Sequence, residues 1–428
     1  MVEASLKSRK LTVALFKRCF SSACLQIYSI IEGPIYRKCY SLRIAMIIGK
    51  PSAEPVNRER EISELVSGLS SPRKNVNFAL IGHRRIGKTT ILWKVRHELN
   101  LLGLNVVYLD LSLYKVTPVE FAQMVMSQTT HNYAKDLGRV DKATMIISSL
   151  LRTLSKLRKL RFTLEPSVDQ SGQFSIALRP ELVETEDLSK VFALAFDYAN
   201  EVSRKAKKRI VIMIDEFPAI VEFARYPKLK NILERFRNVL ENRENVCYVV
   251  SGSRVHFMRE VLGSGDSPLF GHFAIREIKE LAESDAIQLY MRASNASASE
   301  ARSAYMILGG HPFYLIMLAE NRKPDETIEQ TYRRILTSQT GALYLYANYV
   351  LKEDLGSSTK ETRLLKILRA IALGRNTVSS ISEFTRIKIT SLPFYIGELE
   401  RYDLVRKSDQ AYSITDSVIR DYLTLIVA

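Results

Sequence analysis

The chain has no uninterrupted apolar run approaching the roughly 20 residues that a membrane-spanning helix needs, so the sequence indicates no transmembrane helix. Cysteine is scarce. Three of the four, Cys19, Cys24 and Cys39, fall in the first 45 residues, and Cys247 sits inside an apolar run. Such spacing builds neither a disulfide framework nor a metal site, and it fits a reducing, cytoplasmic setting. Acidic residues are in deficit: a formal net charge of +16 over 428 residues favours polyanionic partners, either nucleic acid or an acidic surface, without choosing between them. The surplus is uneven, with eight Lys/Arg against two Glu in residues 1–45 and eleven against eight acids in 357–428. Against these shortages stands a hydrophobic content of 46%, enough to bury sizeable cores in two or three domains.

The most informative stretch is Asn77-Phe-Ala-Leu-Ile-Gly82-His-Arg-Arg-Ile-Gly87-Lys88-Thr89-Thr90, a complete G-x-x-x-x-G-K-T pattern. Glycines at 82 and 87 let the backbone curl so that its N–H groups face phosphate oxygens, and the helix that follows adds its positive end. Lys88 is placed to reach the β- and γ-phosphates, and the Thr89 hydroxyl to ligate Mg²⁺. Gly82, Arg85, Ile86, Gly87, Lys88, Thr89 and Thr90 are therefore the candidate ATP contacts. Context supports the motif, because an apolar β-rich run, Val76 to Ile81, precedes it and helix-like spacing from Thr90 to Leu99 follows.

A phosphate loop alone does not position a metal ion or activate water, so a second half of the site is expected downstream. Arg209-Ile-Val-Ile-Met-Ile214-Asp215-Glu216 supplies it, as a buried parallel strand with acids at its C-terminal edge. Asp215 is the candidate Mg²⁺ partner and Glu216 the candidate base or orienter of an attacking water. The competing reading, an acidic helix cap, is disfavoured on the expectation that Phe217-Pro218 does not open a helix. A third strand, Val246 to Val250, runs into Ser251-Gly252-Ser253; Ser251 is a candidate catalytic residue beside the γ-phosphate, or else part of an ordinary turn.

Residues 1–45 read as a basic, acid-poor N-terminal extension, either a transit-like or membrane-surface segment or, in the plainer reading, a stretch outside the native fold with the start at Met46, where organised pattern begins. From 46 to 281, strands at Val76–Ile81, Asn105–Leu111, Arg209–Ile214 and Val246–Val250 alternate with helices, which predicts an α/β core with a parallel sheet. An insertion at about 137–185 holds a basic amphipathic segment (Arg152, Lys156, Arg158, Lys159, Arg161) and a hairpin around Asp169 to Gly172. Residues 282–356 read as helical. Residues 357–428 read as three helices (Glu361–Leu373, Val378–Thr385, Ile389–Glu400) and two strands (Leu404–Lys407, Ala411–Thr415), a winged-helix order. The third helix carries Glu398 and Glu400 but no Lys or Arg. Arg386, Lys388, Arg406 and Lys407 flank it as candidate DNA-phosphate contacts, and protein packing is an equal alternative.

These pieces in this order resemble the archaeal STAND-type branch of AAA+-like P-loop ATPases with a C-terminal winged helix. The resemblance covers roughly 54–424 and includes Val56-Asn57-Arg58-Glu59…Glu64-Leu65, Ser251-Gly-Ser253, Ser267-Pro-Leu-Phe-Gly271, Gly309-Gly-His311-Pro312-Phe-Tyr-Leu315 and Tyr412…Asp416…Arg420-Asp-Tyr422. It implies a P-loop NTPase sheet of the AAA+-like, ASCE type with a helical lid, ATP and Mg²⁺ as cofactors, and slow hydrolysis driving a switch. It further implies that Asn57 and Arg58 lie near the adenine and that His311 and Pro312 approach the nucleotide from the lid. Where the family usually has Arg, this chain has His272, and no nuclease-like domain is expected after the winged helix. The alternatives carried forward are a replication-initiator-like DNA-binding ATPase and a nucleotide-gated protein-binding scaffold.

Overall fold

The computed structural model describes residues 55–72, 75–112, 116–137, 161–168, 174–181, 188–355 and 359–425. All of them belong to one compact unit, 51–428. The N-terminal extension with its three cysteines, the Met46 start and the basic residues Arg152, Lys156, Arg158 and Lys159 lie outside the described residues.

Along the chain, α1 (Glu59–Ser70) precedes β1 (Phe78–Ile81), and the glycine-bearing loop leads into α2 (Lys88–Leu101). After β2 (Asn105–Asp110) and α3 (Pro118–Leu137), an antiparallel hairpin forms from β3 (Arg161–Val168) and β4 (Phe174–Glu181). Then come α4 (Leu188–Ala206), β5 (Ile210–Asp215), α5 (Pro218–Val221), α6 (Ile232–Glu241), β6 (Val246–Gly252), α7 (Val255–Gly263) and β7 (Ala274–Glu277). Five of these strands form one parallel sheet in the order β2-β5-β6-β1-β7. β1, β5 and β6 are buried at every position, as continuous apolar runs covered on both faces must be. One face packs on α3, α4 and α6 through a ring cluster that includes Phe121, Phe192, Phe196 and Phe236. The other packs on α1 and α2 through Leu65, Leu69, Ile91 and Val95.

Edge strand β2 is closed by side chains of α3. Gln128 Oε1 accepts from the Tyr108 N–H at 3.0 Å, and Asn132 Nδ2 donates to the Val106 carbonyl at 2.9 Å. These bonds use up ladder groups that an exposed edge would offer to another chain.

Three expectations change here. Arg161, assigned to a helical face, opens β3 instead; the hairpin strands exist, and the turn at Asp169 to Gly172 lies outside the described residues. Pro218 does open a helix, the short α5, because proline at the first helical position gives up an N–H that has no intrahelical acceptor anyway. β7 was not anticipated, since Ala-Ile-Arg-Glu is half-buried at the other sheet edge and half charged.

From 283 to 355 the chain is helical, in α8 (Glu283–Ser294), α9 (Ala298–Leu308), α10 (Pro312–Glu320), α11 (Ile328–Thr337) and α12 (Ala342–Leu355). Capping boxes at Ser297 and Thr327 start α9 and α11. The C-terminal part has α13 (Thr359–Ala372), α14 (Val378–Thr385), α15 (Leu392–Arg401), a hairpin of β8 (Val405–Ser408) and β9 (Ala411–Ile414), and a last helix, α16 (Ser417–Leu425), absent from the sequence expectations. Among the described residues no helix is long and apolar enough to cross a membrane.

Candidate functional site

The loop between β1 and α2 is shaped by its glycines for two different reasons. Gly87 adopts φ +106°, which a side chain would strain. At Gly82 a Cβ would meet the Ile278 carbonyl oxygen at 2.6 Å, so the backbone approach of 82 to 278 requires glycine. Arg85 between them also has positive φ, +64°, and Ile86 is buried as the loop's apolar anchor. Lys88, the first residue of α2, is buried, and its ammonium donates to the carbonyls of Gly82 at 2.8 Å and His83 at 2.9 Å. Burial pushes that ammonium's pKa down, against the opposing pull of Glu216 and Asp215.

Asp215 closes β5 and is buried beside the loop. Its Oδ2 accepts from Thr89 Oγ1 at 2.7 Å and from the Tyr108 hydroxyl at 2.9 Å, while its Oδ1 accepts from the Ser251 hydroxyl. Glu216 follows in a left-handed conformation, φ +63°, which turns the chain sharply off the strand end. Its N–H points to Ser251 Oγ at 3.3 Å, and its Oε1 accepts from Ser253 Oγ at 3.0 Å. Lys88, Thr89, Asp215, Glu216 and Ser251 are thus brought into one cluster. Thr90 lies in the first turn of α2, directly behind it.

A second wall comes from the helices after residue 282. Pro312 starts α10, with His311 at its N-cap. The neighbouring Gly310 is forced by contact, since a Cβ there would lie 1.9 Å from the Leu281 carbonyl oxygen. His311 is buried, with Nε2 3.1 Å from the Arg84 carbonyl. A carbonyl only accepts, so Nε2 carries the proton. Burial lowers the imidazole's pKa to about 4, which keeps it neutral and leaves Nδ1 a buried acceptor without a partner among the described residues. The Arg84 guanidinium bonds Glu353 at 2.9 Å and faces Asp354 at 3.7 Å, both on α12. Burial raises the Asp354 carboxyl to about 6 although Arg84 pulls it back. Arg85 lies over the rings of Phe313 at 5.0 Å and Tyr346 at 5.8 Å. Tyr314, stacked on His311 at 4.2 Å, donates its hydroxyl to Asp416 next to α16.

Asn57, with φ +47°, and Arg58 precede α1. Asn57 Nδ2 bonds Asp285 on α8, and Arg58 donates to the Lys279 carbonyl at 2.6 Å, so this pair is tied to the seam between β7 and α8. His272 faces Glu241 at 3.9 Å. Arg386, Lys388, Arg406 and Lys407 are exposed and make no hydrogen bond or ion pair with the cluster.

Residues 56–318 match the family described as an ATPase domain predominantly from Archaea. The chain belongs to that family. Its ATPase domain is built on the five-stranded parallel sheet with the glycine loop. The Walker-type ATPase of Pyrococcus abyssi shares this fold, with a TM-score of 0.60 and 18% identity over 88% of this chain and 99% of that one. A Pyrococcus horikoshii signal transduction ATPase with numerous domains and a tetratricopeptide repeat sensor gives a TM-score of 0.34 and 14% identity, covering 88% of this chain and 43% of that one. An uncharacterized Methanocaldococcus jannaschii protein is 23% identical over 210 residues, 49% of this chain and 44% of its own length, so the match spans less than half of that relative.

Several residues of the candidate site carried no readable signal in the sequence. Tyr108 reaches Asp215 across 107 positions and Arg84 reaches Glu353 across 269, pairings that only the folded sheet and the helices after residue 282 create. Ser253 is the exception, since it belongs to the Ser-Gly-Ser stretch already singled out, and its tie to Glu216 gives that stretch a further task.

Proposed function

We propose that this ATPase is a molecular switch of the archaeal STAND type, in which the Mg-ATP state is coupled to a helical lid (282–356) and a winged-helix domain (357–428) moving on a core (46–281). In this reading Lys88 serves the β- and γ-phosphates, Gly82, Arg85, Ile86, Gly87, Thr89 and Thr90 line the phosphate loop, and Asn57, Arg58, His311 and Pro312 face the rest of the nucleotide. Thr89 Oγ1 and Asp215 Oδ2 are hard oxygens 2.7 Å apart, a donor pair that suits Mg²⁺. When bound there, Mg²⁺ supplies charge neutralisation at the phosphates. Glu216 orients the attacking water or takes its proton, with Ser253 fixing one of its oxygens and Ser251 bracing both acids from below.

The observation that carries the switch is the grip of the lid on the phosphate loop itself. Arg84 is bound through its side chain by Glu353 and Asp354 and through its carbonyl by His311, and Tyr314 extends that contact to Asp416. A loop that adjusts to a γ-phosphate therefore disturbs α10, α12 and the start of α16 together. The test is hydrogen exchange with ADP and with a non-hydrolysable ATP analogue. The reading expects different amide protection in α10, α12 and 411–425 between the two, and identical protection there would refute it.

A second reading, a replication-initiator-like DNA-binding ATPase, is favoured by one observation: Arg386, Lys388, Arg406 and Lys407 are all exposed around α15, on which Phe394 is exposed while Glu398 and Glu400 are half-buried. Contacts from such a rim go to phosphates and carry weak sequence preference.

A further inference from the structure

Asp215 is held by more than the phosphate loop. Of the hydroxyls on its carboxylate, the one from Tyr108 comes from a neighbouring strand and belongs to no nucleotide motif. Register pairs Tyr108 with Met213 and Asp110 with Asp215, so the tyrosine stands one pleat before the acid's own level and its ring spans the gap. The ring is fixed from the same helix that carries Thr89. Trp93 meets it edge-on, with centroids 6.4 Å apart, and the Arg96 guanidinium lies 5.7 Å from its centroid. Its main chain is pinned to Gln128. Burial, followed by the nearby Asp215 charge, raises the phenol well above its ordinary value, so it stays a hydrogen-bond donor throughout the physiological range.

We propose that Tyr108 is a positioning residue for the metal site: it holds Asp215 Oδ2 in the rotamer that faces Thr89, and thereby sets the affinity of the nucleotide site for Mg²⁺. This rests on the reading that Thr89 and Asp215 hold that ion. Two donors share Oδ2, and both are anchored on or clamped by α2. Any rotation of the carboxylate away from the loop must break both hydrogen bonds at once. A hydrogen bond from a hydroxyl to a buried carboxylate is stronger than one between neutral groups, and losing it costs about a factor of ten in an equilibrium it controls. Phenylalanine keeps the ring between Trp93 and Arg96 and removes only the hydroxyl.

The experiment is equilibrium binding of labelled ATP to the full chain, titrated with Mg²⁺ and repeated in EDTA, for wild type, Tyr108→Phe and Asp215→Asn, with a thermal melt of each. Tyr108→Phe should raise the half-saturating Mg²⁺ about ten-fold while ATP affinity in EDTA stays at the wild-type value. An unchanged Mg²⁺ midpoint in Tyr108→Phe, beside a collapsed one in Asp215→Asn, would overturn the role of Tyr108 and leave the metal site standing. Equal loss of ATP affinity with and without Mg²⁺, with a lowered melting temperature, would likewise overturn it and make Tyr108 a packing residue. A wild-type Mg²⁺ response in Asp215→Asn would instead remove the metal reading on which the proposal stands.

Discussion

The two walls of the proposed nucleotide site, the sheet and the proposed lid, are built from opposite materials. On the sheet side, Asp215 and Glu216 are met by the hydroxyls of Thr89, Tyr108, Ser251 and Ser253, and the Lys88 ammonium rests on two carbonyls. On the lid side, full charges face each other: half-buried Arg84 with exposed Glu353 and with the more buried Asp354. There, too, Arg85 Nε and His311 Nδ1 are buried without partners among the described residues. A carboxylate ringed by neutral donors is well satisfied and gains little from moving. A partly exposed ion pair is screened by water and worth little net, so a competing anion or a proton can reorganise it at small cost. The difference suggests that the chemistry is kept rigid by hydroxyls while the responsiveness is kept in charges.

The largest expected effect breaks the sheet wall. Lys88→Ala should weaken ATP binding and abolish hydrolysis together, because it removes the charge inside the phosphate loop. Glu216→Gln keeps shape and most hydrogen bonding but cannot take a proton, so it should bind ATP normally while turnover falls by about 10²-fold. Labelled-ATP binding beside single-turnover hydrolysis separates the two. Wild-type turnover in Glu216→Gln would take that residue out of catalysis.

A smaller effect sharpens the lid wall, through pH. The Asp354 carboxyl titrates near 6 in the fold against an ordinary 3.8, so its contribution to stability is complete below about pH 4 and is lost as pH rises through 6. His311 works the other way. Its imidazole is lowered to about 4 from an ordinary 6.5, so its contribution is complete above about pH 6.5 and is lost as pH falls towards 4. Between pH 4 and 6 the two slopes oppose each other. Asp354→Asn leaves the histidine slope alone, and its melting temperature should fall more steeply on acidification from pH 6.5 to 4 than that of wild type, by about 2–4 °C. Parallel curves would mean that Asp354 does not titrate in this window.

The smallest effect asks whether the contrast extends to the C-terminal rim. Replacing Arg386, Lys388, Arg406 and Lys407 together with Ala should flatten the salt dependence of duplex binding by the full chain without touching ATP affinity. Unchanged duplex binding in the quadruple variant would place any DNA contact elsewhere.

The sheet wall was largely legible because its signals are local. The strand before Gly82, the glycine spacing and the acids ending an apolar run are each contiguous, and the rule that ligands bind at the C-terminal ends of parallel strands places them at one sheet edge. Helix α14 begins and ends where the sequence put it, with Thr377 and Ser380 forming a capping box at its start. The lid wall was legible only as helices. What joins Arg84 to Glu353, or Tyr314 to Asp416, is distance in sequence closed by tertiary packing, and no propensity encodes it. β7 was missed because it is only four residues long, two apolar then two charged, at a sheet edge, and Arg161 because a basic strand and a basic helical face look alike in composition.

Trp93 is the chain's single tryptophan, and it sits half exposed with its edge against the ring whose hydroxyl ends on Asp215. Indole emission follows the polarity and charge around the ring, and here no second indole dilutes the signal. The molecule therefore carries an intrinsic optical reporter two contacts from its acidic centre, and the filling of that centre is readable as a change in fluorescence from the unlabelled protein.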